Sequence, residues 1–129
     1  MAAGYVANIE EKTLANKNYL KVLFTGPKSQ LVVMSLKPGE EIGEETHDMD
    51  QFTRIEKGEA EVTLSGKKHK VADDYAVVIP AGIRHNIVNT SKKKELKLYT
   101  VYSKPDHKPG AIHKTKAAAD KAEEKEKGK

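Results

Sequence analysis

Residues 38–58, PGEEIGEETHDMDQFTRIEKG, and residues 74–89, DYAVVIPAGIRHNIVN, decide the reading of this chain. In the first, Gly39 is followed at fixed intervals by Glu45, His47, Gln51 and Gly58. In the second, Asp74, Pro80, Gly82, His85 and Asn89 recur in the same disciplined way. Residues 59–73 separate the two stretches. Two imidazoles, a carboxylate and a carboxamide stand among glycines and a proline that force corners in the chain.

Around these stretches the sequence alternates between short runs of strand formers and turn residues. Strand character is expected at 19–25, 29–37, 51–56, 60–64, 68–71, 75–79, 85–88 and 96–103. Leu31, Val32, Val33, Met34 and Leu36 carry apolar side chains on both parities, the pattern of a strand covered on both faces. Ser65-Gly66 is a hairpin turn, Asp73-Asp74 another, and Pro80-Ala81-Gly82 a sharp corner. Eight or more short strands with almost no helical period argue for an all-β sandwich or barrel. The pattern does not separate a jelly roll from an immunoglobulin-like sandwich.

The two stretches resemble the paired motifs of the cupin superfamily, G-x5-H-x-H-x3/4-E-x6-G and G-x5-P-x-G-x2-H-x3-N. The spacing agrees throughout, with Glu45 in place of a histidine, Gln51 in place of a glutamate and Asp74 in place of a glycine. The resemblance covers roughly residues 29–103 and implies a small antiparallel jelly-roll barrel, the double-stranded β-helix. It is similar to small bacterial cupins described as mannose-6-phosphate-isomerase-like. Residues 1–28 then form an N-terminal segment with an edge strand, and residues 104–129 a Lys/Glu/Ala-rich tail, whose run 115–129 is read as solvated helix or disorder. A helical turn or two is expected near residues 9–15.

On a strand, Glu45, His47 and Gln51 share a parity and can face one interior. By the resemblance, His85 points into the same barrel. Imidazole and oxygen donors without thiolate suit Fe(II), Mn(II), Ni(II), Co(II) or Zn(II). With Glu45 ionised and both imidazoles neutral, a divalent ion leaves the site at +1, a charge that favours an anionic or enolate-like ligand. Glu45 is also the one residue the sequence nominates for proton transfer. His69, between lysines, is expected at the surface, and His107 and His113 at the surface or the barrel mouth.

Composition narrows the alternatives. At 129 residues there is room for one core, and the absence of cysteine removes disulfides and thiolate chemistry. Six lysines against four carboxylates in residues 114–129 account for half of the net +4, and no arginine cluster or aromatic platform suggests nucleic acid. No apolar run approaches the roughly 18 residues that cross a bilayer, and residues 1–12 lack the regions of a signal peptide. No G-x-S-x-G, P-loop or G-x-G-x-x-G occurs. The expectation is a cytoplasmic, metal-dependent enzyme acting on a small oxygenated or carbonyl substrate, of isomerase or dioxygenase type. The alternatives are a non-catalytic binding or sensing module and a structural barrel. The apolar surplus of residues 31–36 and the edges of a small jelly roll lead to the expectation of a homodimer.

Overall fold

The structure, a computed structural model, describes residues 3–127; the ends of both terminal segments lie outside the described residues. Nine strands and two helices follow one another in the order α1 (Ile9–Ala15), β1 (Leu20–Thr25), β2 (Gln30–Leu36), β3 (Gln51–Lys57), β4 (Glu59–Leu64), β5 (Lys67–Ala72), β6 (Ala76–Ile79), β7 (His85–Asn89), β8 (Leu96–Tyr102), β9 (Ile112–His113) and α2 (Lys116–Lys127). All strand pairs are antiparallel. One sheet runs β6-β3-β8-β2-β1-β9 and the other β5-β4-β7. This is the jelly-roll barrel that the paired motifs imply.

Alternation sets the interior. Gln51, Thr53 and Ile55 of β3 point inward beside Leu98, Thr100 and Tyr102 of β8, and Val32, Met34 and Leu36 of β2 continue the same rows. The second sheet contributes Ala60 and Val62 from β4 and Ile87 from β7. At one end of the barrel this filling is wholly apolar, with Leu36, Ile55, Leu96 and Leu98 at 1% exposure or less. Asn89 seals that end. Its side-chain amide donates to the carbonyls of Leu36, Lys37 and Lys94, and its oxygen accepts from the Ser91 N–H.

Two motif positions show why the corners need the residues they have. Gly58 sits at φ +119°, and a Cβ there would meet the Glu95 carbonyl oxygen at 3.1 Å, so a side chain between β3 and β4 would be strained by its backbone conformation and crowded by the Glu95 backbone. Asp74 stands where the family pattern has glycine, and its φ is +71°. Aspartate tolerates the left-handed region better than most residues. Its backbone N–H bonds to the Ile55 carbonyl and its carboxylate accepts from Arg54, which hold the turn.

Helix α1 is capped by the Asn8 side chain, which accepts from the Glu11 N–H. It packs against β2, β3 and β8. Lys97 Nζ reaches from the outer side of β8 to the Asn16 carbonyl at the helix end (2.6 Å) and to Ser35 Oγ (2.9 Å). This corrects part of the surplus read from residues 31–36. Val33, on the outward parity of β2, is already buried within the chain itself, and α1 packs against that strand.

The tail forms a helix, α2, most of whose described side chains are exposed, but the segment before it is not free. Residues 111–114 return to the sheet, with Val22 N–H bonded to the Ala111 carbonyl and Tyr19 N–H to the Lys114 carbonyl. Helix α2 follows, and its Ala119 packs against the core. Ala119 and Ala122, about one turn apart, both line the cavity described below.

Candidate metal centre

Opposite the sealed end, the barrel opens into a cavity of about 710 Å³. His85 begins β7 and Gln51 begins β3, so both belong to regular strands. Glu45 and His47 do not. They lie in the irregular segment between β2 and β3, and an isolated antiparallel bridge places them. The Glu45 N–H bonds to the His85 carbonyl at 2.8 Å, and the His85 N–H returns to the Glu45 carbonyl at 2.9 Å. The Pro80-Ala81-Gly82 corner secures the other side: Gly82 N–H bonds to the His47 carbonyl and Ala81 N–H to the Asp50 carboxylate. The shared strand parity of Glu45, His47 and Gln51 is therefore not what brings them together. A backbone bridge and a corner do.

Donor atoms of Glu45, His47 and His85 lie within 4.8 Å of one another, and Gln51 lines the same cavity. His85 is 3% exposed, and its Nδ1 lies 3.0 Å from the Ile83 carbonyl. A carbonyl only accepts, so Nδ1 carries the proton and Nε2 turns a free lone pair into the cavity. The Gln51 amide is fixed in a similar way. Its nitrogen donates to Thr100 Oγ1 (3.0 Å) and Thr53 Oγ1 (3.3 Å), while Thr100 spends its own proton on the Phe52 carbonyl. Oε1 is thereby left toward the cavity.

Three buried side-chain polar atoms here, His47 Nε2, His85 Nε2 and Gln51 Oε1, have no hydrogen-bond partner among the described residues. An orphaned buried polar atom costs roughly 1–3 kcal/mol. Two of these atoms, the imidazole nitrogens, gather with the Glu45 carboxylate, and Gln51 borders the same cavity; imidazole nitrogen with carboxylate and amide oxygen is the donor chemistry that suits a divalent transition metal. These residues fit such an ion.

The electrostatics agree with that geometry. The Glu45 carboxylate, 3.7 Å from His47 Nε2, raises the proton affinity of His47 above the ordinary imidazole value; burial opposes the shift and Asp106 adds to it. Burial pushes the Tyr102 hydroxyl well above the ordinary phenol value, with Glu45 and Asp106 adding to it, so it stands in the cavity as a protonated donor. His107 is shifted down, mainly by burial, with its Nε2 3.4 Å from the Tyr102 hydroxyl.

The sequence reading did not nominate Asp106, nor Tyr102 and Tyr19, which line the cavity too. His107 and His113 line the cavity as well, whereas His69 is not among its lining residues. Asp106 has no motif around it. Its position depends on a contact of 76 residues' separation, between its backbone N–H and the Gln30 side chain.

Comparison with known proteins agrees with the fold. Residues 32–102 match the cupin domain family. An uncharacterized protein of Acanthamoeba polyphaga mimivirus is 51% identical over 113 residues, covering 84% of this chain and 70% of its own. The uncharacterized protein YrkC of Bacillus subtilis (strain 168) is 42% identical over 127 residues, 93% of this chain and 68% of its own. The crystal structure of BH2720 from Bacillus halodurans superposes with a TM-score of 0.88 at 41% identity, covering 91% of this chain and 93% of its own. With more than half of its length matched and both motifs arranged around one cavity, this chain belongs to the cupin family.

Proposed function

We propose that this cupin is a metal-dependent enzyme acting on a small oxygenated or carbonyl substrate, with Glu45, His47, Gln51 and His85 as the metal ligands. The observation that carries the reading is that two buried, unpartnered imidazole nitrogens gather beside Glu45, with Gln51 and its unpartnered oxygen bordering the same cavity. A divalent ion held there supplies Lewis-acid polarisation of a substrate oxygen or an acidified water. The protein's own part is to orient: the Ile83 carbonyl fixes the His85 tautomer, the two threonines fix Gln51, and the Tyr102 hydroxyl donates into the cavity. An isomerase or a dioxygenase would both use such a site. A binding module without turnover would use it too, and activity lost on chelation separates enzyme from module.

Elemental analysis of untagged protein, with calorimetric titration of Fe(II), Mn(II), Zn(II) and Ni(II), tests the metal. His47→Ala and His85→Ala should each abolish stoichiometric binding. Gln51→Ala should cost less, since a neutral amide oxygen is the weakest donor. Glu45→His should retain binding where Glu45→Ala weakens it. Stoichiometric binding that survives both histidine substitutions would remove the proposal.

We further propose that two copies associate through the outer face of the larger sheet. Strand register places Val78, Phe52, Val101, Leu31 and Phe24 in one row across five strands. Val78 at one end is 63% exposed. A two-fold axis at Val101 sets Phe24 against Val78 and Leu31 against Phe52 of the second copy, so the row is its own complement. A single species at the 14.3 kDa chain mass in sedimentation equilibrium would end this proposal. We propose a cytoplasmic location, a reading with which the cysteine-free sequence is compatible.

A further inference from the structure

Four carboxylates besides Glu45 line the cavity, and their partners decide its net charge. Glu44 pairs with Arg84 at 3.2 Å, and Asp120 with Lys116 at 2.9 Å. Glu123 and Lys108 carry opposite charges and cancel in the count. Asp106 is different. Its two oxygens face histidines among the described residues, Oδ1 lying 3.7 Å from His47 Nδ1 and Oδ2 3.5 Å from His107 Nε2.

Its placement is built rather than incidental. Gln30, 1% exposed, accepts the N–H groups of Asp106 (3.0 Å) and His107 (2.9 Å) at Oε1, and donates Nε2 to the His107 carbonyl (2.8 Å). Three hydrogen bonds from one buried amide therefore clamp a segment that lies beyond the residues matched to the family. The segment brings a carboxylate to the far side of His47 from Glu45.

With the histidines neutral, Glu45 and Asp106 together carry −2, which balances a divalent ion. The motif residues alone would leave +1. We propose that Asp106 makes the metal-loaded cavity electroneutral and thereby selects a neutral oxygen-bearing ligand, a polyol or an unphosphorylated carbonyl compound, over a carboxylate or phosphate. The remaining lining favours the same class. Leu20, Met34, Ile42 and Ala111 offer no counter-charge, and burying an anion without one is costly. Tyr19 and Tyr102 are phenols, suited to donate to hydroxyl or carbonyl oxygen. Asp106 is thus a specificity residue acting through charge, and the inference rests on the metal reading above.

The test uses the full chain loaded with Co(II), whose visible absorption reports a new ligand, and two probes of opposite kind: azide, an anion, and imidazole, a neutral donor. Asp106→Asn keeps the shape and the backbone contacts to Gln30 while removing the charge. Azide should bind about tenfold more tightly to Asp106→Asn than to the parent, roughly 1.4 kcal/mol, and imidazole should be unchanged within about twofold. Asp106→Glu should restore the parent's azide affinity. Equal azide affinities in parent and Asp106→Asn overturn the role of Asp106, as does a parallel gain for imidazole, which would mean that the substitution merely opened the site. Failure of the parent to take up Co(II) overturns the metal reading itself, so the two failures are told apart by the metal titration done first.

Discussion

The two ends of the barrel interior are built on opposite principles. At the sealed end, Leu36, Ile55, Leu96 and Leu98 meet with no polar atom left over, and Asn89 spends its whole side chain on backbone groups. At the open end, Gln51, His85 and His47 keep donor atoms buried and unpartnered. The same strands supply both ends: β3 carries both Gln51 and Ile55, and β7 both His85 and Asn89. One end carries the hydrophobic stabilisation, and the other gives some of it up to keep a binding geometry.

Breaking the sealed end should have the largest effect. Leu36→Ala or Leu98→Ala removes a fully buried side chain from a packed layer, and the loss should be about 2–5 kcal/mol of unfolding free energy. Chemical denaturation of the metal-free protein measures it. A cost below about 1 kcal/mol would mean that the end is looser than its burial indicates.

The open end should answer to metal instead. At a free metal concentration of about a hundred times Kd, binding adds roughly 2.7 kcal/mol to the parent. His85→Ala should lose that increment without a comparable loss in the metal-free protein. Gln51→Leu should leave the metal-free protein as stable as the parent or up to about 1 kcal/mol more so, because it deletes an orphaned oxygen. Thermal melts with and without metal compare the two ends directly. If His85→Ala destabilised the metal-free barrel as much as Leu36→Ala does, the division between the ends would not hold.

pH sharpens the same contrast. The proton affinity of His47 is raised in the folded chain, chiefly by Glu45. In the metal-free protein the stabilisation from protonated His47 is fully present below the unfolded value near 6.5, and it is lost as pH rises through the raised folded value. Metal needs the same Nε2 deprotonated, so stabilisation by metal grows over that rise. The gap in melting temperature between metal-loaded and metal-free protein should therefore be wider at pH 8 than at pH 6. A gap that is constant or narrows would indicate that His47 is not a ligand.

Legibility in the sequence follows the range of the causes. Strand alternation and turn chemistry are local, so eight of the strands and the corners at residues 65–66 and 80–82 could be read from short windows. The four candidate ligands were legible because the spacing of two motifs encodes them. The reason they converge was not: the Glu45–His85 bridge pairs residues forty positions apart, and strand parity offered a simpler, incorrect explanation. Strand β9 has only two residues, in a segment broken by Pro109 and Gly110, and it forms because the edge of β1 is there to pair with. Asp106 depends on Gln30 in the same way. A residue positioned by one long-range amide leaves no local periodicity to detect.

The smallest expected effect concerns the tail. Helix α2 contributes Ala119 to the edge of the core and Ala122 to the cavity wall, and both are only half-buried. An alanine methyl returned to water costs under about 1 kcal/mol, and the exposed Lys116–Asp120 pair adds a few tenths. Truncation after Lys114 keeps β9 and its bond to Tyr19. It should therefore lower unfolding stability by about 1 kcal/mol or less, a shift of a few degrees in Tm for a domain of this size. The same truncation removes part of the cavity wall, so ligand binding should weaken even though folding hardly changes. Imidazole binding to the Co(II)-loaded protein supplies the second readout. If stability fell by several kcal/mol, α2 would belong with the sealed end as a structural element. If neither stability nor imidazole affinity moved, α2 would be a surface helix and no part of the open end.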